Sequence, residues 1–172
     1  MIFYDSKHLS QRLNINPARW KRWARTFLPP DPLGGLQSGV AWQFNVKDAF
    51  KVYLGGYLVG ELSFAIPEAS QVLDDLANWL RNNGFYSMPP QRDDENGPMH
   101  CIYIHTMPKS RFGYCVRSII STSTANDYGV RQEVFLQTLI ATENDPIISG
   151  EAKSATLLAI TSLYRDFLKQ IE

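Results

Sequence analysis

Four basic residues lie on a short predicted helix near the N-terminus, where their spacing suits contacts with phosphate groups. Asn16 followed by a proline predicts an N-cap and a first helical residue, so the helix should run from Pro17 to about Phe27. Trp20 and Trp23 share one face of this helix with Phe27. The rest of its surface carries Arg19, Lys21, Arg22 and Arg25. Phosphate contacts need basic groups on a rigid, projecting element, and this helix would supply one.

The charge of the chain is unevenly distributed, although its 172 residues carry no net charge. Residues 1–58 contain eight basic and three acidic residues, which leaves nine basic and fourteen acidic residues in the remainder. This asymmetry predicts that the first third contacts a polyanion while the rest has a different role. Apolar residues make up 44% of the chain, which is typical of a globular protein.

A second set of residues could in principle bind a metal ion. This set is His100, Cys101, His105 and Cys115. Thiolates and imidazoles ligate zinc or copper, but the chain has no Cys-x-x-Cys pair, and cysteines on strands are often buried for packing alone. The hydroxyl-rich run 118–124 is better explained as a strand end and loop than as a nucleophile, and no nucleotide-loop or nucleophile-elbow motif occurs. We therefore predict no metal site, no cofactor and no enzymatic activity.

The elements around the basic helix are predicted from capping residues and apolar spacing. An earlier helix should begin at Asp5 or Ser6 and meet the basic helix at a tight turn, which is helix-turn-helix geometry. A glycine-rich loop and an alternating strand then predict a wing over residues 33–44. Asn45 should cap a third helix, which Gly55-Gly56 would interrupt or kink.

The rest of the chain divides into a fourth helix, a linker and a mixed region. The fourth helix should open at Ile66 and end at Gly84. Residues 87–98 have three prolines and an acidic cluster, which predicts a linker between an N-terminal domain over 1–86 and a C-terminal domain over 99–172.

The C-terminal domain is predicted to combine a small antiparallel sheet with a long terminal helix, so the fold class is α+β. Strands are expected over 102–105 and 112–120, and a third over 133–142, although that run could also be helical. The terminal helix is expected over 151–171, where apolar residues recur every three or four positions. Its apolar surface is Leu157, Ile160, Leu163, Tyr164, Phe167, Leu168 and Ile171.

Over residues 2–82, a capped helix is followed by a tight turn at Asn16-Pro17, a basic helix and a wing. This order resembles the MerR-like winged helix-turn-helix DNA-binding family. The family's opening aromatic and cap are matched by Phe3-Tyr4-Asp5-Ser6, and its turn by Asn14-Ile15-Asn16-Pro17. Its recognition-helix signature is matched by Trp20-Lys21-Arg22-Trp23, and its entry to the third helix by Trp42-Gln43-Phe44-Asn45. The resemblance implies that helix 17–27 docks in the major groove and that wing 33–44 lies on the DNA backbone.

Two departures from the family pattern concern the wing and the dimer. Trp42 occupies the wing position where the family usually has an arginine. Asn82-Asn83-Gly84 and Pro89-Pro90 interrupt the chain where the family continues into a long dimerisation helix. We therefore expect a homodimer assembled instead through the terminal helix.

The sequence thus predicts a cytoplasmic, sequence-specific transcriptional regulator that binds double-stranded DNA. Arg19 and Arg22 suit base edges, because arginine can bond guanine through two hydrogen bonds, whereas Lys7, Lys21 and Arg25 suit phosphates. The expected DNA-binding residues are Lys7, Arg19, Lys21, Arg22, Arg25, Gln37, Ser38 and Trp42. Two alternatives remain open, an excisionase-like architectural DNA-binding factor and a protein-interaction module that does not bind DNA.

The C-terminal half could also respond to a small-molecule or protein effector. No run approaches the roughly 20 apolar residues of a membrane span, and no secretory signal precedes the first helix.

Overall fold

A computed structural model of the chain describes residues 2–30, 42–87, 97–108, 111–123, 126, 128–140 and 154–172. Its elements confirm the α+β class, because helices dominate the first half and an antiparallel sheet the second. The residues divide into two compact units. The described residues up to 87 form the first unit together with Asp166–Glu172, and those from 97 to Arg165 form the second.

The first unit contains two short strands and four complete helices within the described ranges. In chain order they are β1 (Tyr4–Asp5), α1 (Ser6–Arg12), α2 (Pro17–Phe27), β2 (Gln43–Phe44), α3 (Val46–Gly60) and α4 (Ile66–Asn82). Strands β1 and β2 pair antiparallel, with Tyr4 opposite Phe44. Of the expected wing over residues 33–44, the structure describes residues 42–44, which include β2. The rest of the expected wing lies outside the described residues.

A side-chain oxygen accepts a backbone hydrogen bond at the start of each of these helices, and the sequence predicts the capping residue for three of them. The backbone N–H of His8 donates to Asp5 Oδ1 over 2.7 Å at the start of α1, and that of Asp48 donates to Asn45 Oδ1 over 2.8 Å at the start of α3. Helix α4 starts differently, since Glu68 Oε2 accepts from the backbone N–H of Ala65. These bonds satisfy backbone donors that the first helical turn leaves without partners.

The predicted interruption of the third helix is wrong. Helix α3 continues through Gly55 and Gly56 to Gly60 without a break. The two glycines serve a packing role instead, because they allow another helix to approach α3 closely.

The second unit is built on a four-stranded antiparallel sheet. Its strands are β3 (Met99–Met107), β4 (Arg111–Thr122), β5 (Glu133–Ile140) and β6 (Ala155–Leu158), arranged in the order β5-β4-β3-β6. The sheet confirms the three predicted strands and adds β6. Along β3, β6 and the middle of β4, the inner face of the sheet is buried. Its buried side chains include Ile102, Ile104, Tyr114, Val116 and Leu158.

The terminal helix is shorter than the sequence predicts. Helix α5 spans Ile160–Ile171 and follows β6, whereas the prediction extended the helix back to residue 151. Residues 151–153 lie outside the described residues. The apolar alternation at residues 155–158 fits a strand, and Leu157 consequently belongs to β6 and not to the helix.

The apolar face of α5 is buried within the chain, which corrects the proposed dimer surface. Ile160, Tyr164, Phe167 and Ile171 are each at most 4% exposed. Phe167 packs against Phe50 of α3 at a ring-centroid distance of 5.2 Å, inside the first unit. A face already covered by the protomer cannot also pair with a second copy.

Candidate nucleic-acid interface

The basic helix α2 is fixed at its N-terminus by Asn16. The Asn16 Oδ1 atom accepts hydrogen bonds from the backbone N–H groups of Ala18 and Arg19, at 2.9 and 3.2 Å. Pro17 then occupies the first helical position, where its missing N–H costs nothing. Both features confirm the predicted start of the helix, and they set the angle at which it leaves the turn.

The buried face of α2 packs directly on the backbone of α3. Trp23 lies against Gly56 so closely that a Cβ atom at Gly56 would overlap the indole ring. A Cβ atom at Gly55 would lie 2.5 Å from Cδ2 of Phe27. Trp20 is fully buried on the same face and meets the Phe44 ring edge-on at 5.7 Å. The three aromatic side chains therefore hold α2 rigidly and leave only its opposite face in solvent.

The exposed face of α2 is entirely basic or neutral. Between Ser6 and Pro30 the chain has six basic residues and no acidic residue. All four basic side chains of α2 are exposed, and among the described residues no carboxylate forms an ion pair with them. Their positive charges are thus available to a polyanion. The two arginines in the middle of the exposed face are Arg22 and Arg25.

The helical geometry separates Arg22 from Arg19. At about 100° per residue, Arg22 and Arg25 lie nearly opposite the buried face, whereas Arg19 lies at its margin beside Trp23. The guanidinium carbon of Arg19 is 5.9 Å from the centre of the Trp23 ring, a cation–π arrangement. Arg19 therefore flanks the exposed surface, and Arg22 is the better placed of the two arginines expected to reach bases.

The basic residues of α1 differ in how far they are available. Lys7 is exposed, as a phosphate contact requires. Arg12 instead donates through Nη2 to the backbone oxygen of Glu172, and the His8 ring lies 3.4 Å from the backbone oxygen of Ile171. These side chains reach the carboxyl end of α5, where helix carbonyls are left without helical partners.

Of the expected wing residues, Trp42 lies in the part of the chain that the structure describes. Trp42 is half-buried and stacks on Phe44 with ring centroids 5.2 Å apart, so its ring packs on the protein. Gln37 and Ser38 lie outside the described residues. Of the expected DNA-binding residues that the structure describes, four lie together on α2, namely Arg19, Lys21, Arg22 and Arg25.

The histidines and cysteines of the second unit occupy both faces of the sheet. Cys101, His105 and Cys115 lie on its outer face, whereas His100 points to the opposite face, where Ser118 Oγ is 2.8 Å from its Nδ1. Burial raises the pKa of both thiols, so neither is activated as a thiolate. Within the described ranges, no three His, Cys, Asp or Glu side chains are grouped as a metal ion requires.

Two structural features of the chain were not recognised from the sequence. The close approach of α2 to α3 depends on Gly55 and Gly56, which lie against Phe27 and Trp23. Two adjacent glycines on one helix and large aromatic residues on another were the sequence features that could have indicated this contact. On the outer face of the sheet, the Arg117 guanidinium lies between the Tyr103 and Phe135 rings, at 4.7 and 4.8 Å. Detecting that arrangement requires the register of three strands, which a single sequence does not fix.

No protein-family model matches the chain, and no curated protein or solved structure is detectably similar to it. In the parts of the chain that the structure describes, no helix combines the length and apolarity needed to cross a membrane. The functional assignment therefore rests on the geometry and charge of α2.

Proposed function

We propose that the chain is a sequence-specific binder of double-stranded DNA, a transcriptional regulator of the MerR-like winged-helix type. The observation that carries this proposal is the division of α2 into two faces. One face is fixed on α3 by Trp23 and Phe27, and the other presents Lys21, Arg22 and Arg25 without a compensating carboxylate among the described residues.

The size and direction of this surface suit the major groove of B-form DNA. The groove is about 12 Å wide and admits one α-helix, whose exposed side chains then reach base edges. Arg22, near the middle of the exposed face, would bond a guanine through its two terminal nitrogens. Lys21 lies to one side of the face, and Arg25 lies about one turn beyond Arg22 near the end of the helix. Both would contact the phosphates that border the groove. Lys7 on α1 would supply a further phosphate contact.

The alternatives differ from this proposal in what they predict for sequence preference. An architectural factor would bind and bend duplex DNA without regulating transcription, and its sequence preference would come from DNA deformability. A protein-interaction module would bind an acidic partner through the same charges and would show no preference among duplexes. The rigid anchoring of α2 favours base recognition, because contacts to base edges require a fixed docking angle.

Selection from a random pool of duplexes, followed by fluorescence anisotropy over a salt series, tests the proposal. We expect enrichment of a defined sequence and a steep loss of affinity as salt rises, because phosphate neutralisation releases counterions. The variants Lys21→Ala and Arg25→Ala should each weaken selected and unselected duplexes about equally and flatten the salt dependence.

The matched control is Arg81→Ala, which removes one positive charge from an exposed position on α4. This variant should bind the selected duplex as the wild-type protein does. If it weakens binding as much as Arg25→Ala, net charge and not α2 determines affinity. If a folded triple variant of Lys21, Arg22 and Arg25 retains wild-type affinity, the proposal is wrong.

A further inference from the structure

Strand β5 has an unusual surface for the edge of a sheet. It is the end strand in the order β5-β4-β3-β6, and among the described residues it pairs only with β4. Four of its eight residues are large apolar side chains that are substantially exposed, namely Val134 at 57%, Phe135 at 43%, Leu136 at 60% and Leu139 at 57%. Its only charged residue is Glu133.

The exposed side chains lie on both faces of the strand. Leu139 is opposite Cys115 and Phe135 is opposite Ile119, which places both on the outer face of the sheet. Leu136 is opposite Ser118 on the inner face, and Val134 shares that face by alternation. A partner that covered only one face would leave the other apolar row in water, so the distribution favours a partner that pairs with the edge itself.

This edge has few of the features by which proteins prevent edge-to-edge pairing. Sheet edges are usually protected by lysines, prolines, inward-facing charges, bulges or short strands. Strand β5 has eight residues with neither lysine nor proline, and its ladder with β4 shifts register only near Ile119 and Ser121. An unprotected apolar edge of this length is expected either to aggregate or to be paired in the native protein.

We propose that β5 pairs antiparallel with β5 of a second copy, so that two sheets join into one of eight strands around a two-fold axis. An axis perpendicular to the sheet at Gln137 places Phe135 opposite Leu139 of the second copy on the outer face. The same axis places Val134 opposite Ile140 of the second copy on the inner face. Each of these two pairs covers an apolar side chain with another apolar side chain, and Leu136 lies opposite Thr138 of the second copy.

The neighbouring register is less favourable. An axis at Leu136 would place Glu133 opposite Leu139 of the second copy and would remove the match between Phe135 and Leu139. Pairing at Gln137 joins seven residues from each copy. With the exposed side chains on both faces, it would bury on the order of 1,000 Å² in total, the lower bound of a specific interface. We therefore expect a homodimer that dissociates at micromolar concentrations.

Sedimentation of the full chain without DNA tests the interface independently of the proposed function. The wild-type protein should sediment as a dimer in the high micromolar range. Leu139→Lys should shift the dissociation constant by about tenfold or more, because the two-fold axis brings each new charge into an apolar contact. Leu157→Lys is the matched control, since Leu157 lies on the same outer face, is 49% exposed and belongs to the opposite edge strand β6.

Dimerisation that is lost in Leu139→Lys and retained in Leu157→Lys supports pairing through β5. A wild-type monomer in the high micromolar range overturns the proposal, as does an open-ended series of larger species. Loss of the dimer in Leu157→Lys alone would place the interface at the other edge and would also overturn it.

A disulfide provides a test that does not depend on disrupting the sheet. The variant Gln137→Cys should form an intermolecular disulfide under mild oxidation, because residues facing their own copy across the axis have Cα atoms within the range a disulfide spans. The wild-type protein, which contains only Cys101 and Cys115, should not cross-link under the same conditions. Absence of the cross-linked Gln137→Cys dimer, or equal cross-linking of Leu157→Cys, contradicts the register.

Discussion

The indole ring of Trp23 on α2 lies directly against the backbone of Gly56 on α3, where a Cβ atom would overlap the ring. This contact links the conformation of a buried helix to the orientation of the surface that we propose to bind DNA. A change of one methyl group on α3 should therefore be detectable in both stability and DNA binding.

Adding a methyl group at Gly56 or Gly55 should destabilise the first unit. Alanine in place of glycine favours a helix by about 1 kcal/mol, but overpacking against the Trp23 or Phe27 ring costs about 1–3 kcal/mol, and the ring must shift. Urea unfolding monitored at 222 nm should show a lower midpoint for Gly56→Ala. The control is Gly60→Ala at the end of α3, where no atom lies within 4 Å of the added Cβ, and it should be neutral or slightly stabilising. Equal midpoints for the two variants would contradict the close approach of α2.

The last turns of α5 should be required for the stability of the first unit. Phe167 is fully buried and contacts Phe50 and Tyr53 at ring-centroid distances of 5.2 and 5.3 Å. We expect Phe167→Ala to lower the free energy of unfolding by about 3–5 kcal/mol through loss of packing and formation of a cavity. Phe3→Ala removes the same side chain from a position that is 50% exposed and should cost about 1 kcal/mol or less. A similar loss for both variants would show that α5 does not contribute to this core.

Arg22 and Arg19 should differ in their effects on DNA recognition. Replacing Arg22 with alanine should weaken binding to the selected duplex by about 1–3 kcal/mol and relax the preference at one base pair. Arg19→Ala should have a smaller effect on base preference, because the Arg19 guanidinium lies over the Trp23 ring at the margin of the exposed face. Anisotropy with the selected duplex and its single-base variants separates the two outcomes. If Arg19→Ala relaxes base preference and Arg22→Ala does not, the docking orientation is wrong.

The local elements of the first unit could be predicted because short-range chemistry determines them. Asn16-Pro17 and Asn45 cap their helices through side-chain oxygens that reach backbone N–H groups two or three residues away. At the start of α4, the Glu68 side chain accepts a hydrogen bond from the backbone N–H of Ala65, three residues earlier. Such contacts are encoded within one turn of sequence.

Features that depend on distant partners could not be predicted in the same way. The spacing of Tyr164, Phe167 and Ile171 indicates an apolar helix face correctly, but it does not say whether that face meets a second copy or the chain's own core. Gly55-Gly56 resembles a helix break until Trp23 and Phe27 are placed against it. The exposed surface of β5 depends on strand order, which places that strand at an edge. That α1 and α2 act as a DNA-binding helix-turn-helix stays a prediction.

The stability of the second unit should decrease as the pH falls through the range of histidine titration. Burial lowers the pKa of His100 below its ordinary value of 6.5, and it lowers that of His105 in the same direction. Because the unfolded chain then binds more protons than the folded chain, the free energy of unfolding should fall as the pH drops below 6.5. The fall should end once the pH is below the pKa of the folded protein, where both states are protonated.

Proton NMR of the histidine ring resonances measures this shift directly in the folded protein and in urea. His100 should titrate at a lower pH in the folded protein, where its Nδ1 atom lies 2.8 Å from Ser118 Oγ and its backbone N–H donates to the buried Thr161 hydroxyl. The variant His100→Gln keeps a polar side chain. Between neutral pH and about pH 5, its free energy of unfolding should decrease less steeply than that of the wild-type protein. Below about pH 5, carboxylates also begin to titrate. His8→Gln is the comparison, because His8 belongs to the first unit. A folded-state pKa for His100 equal to or above its value in urea would contradict the burial of this side chain.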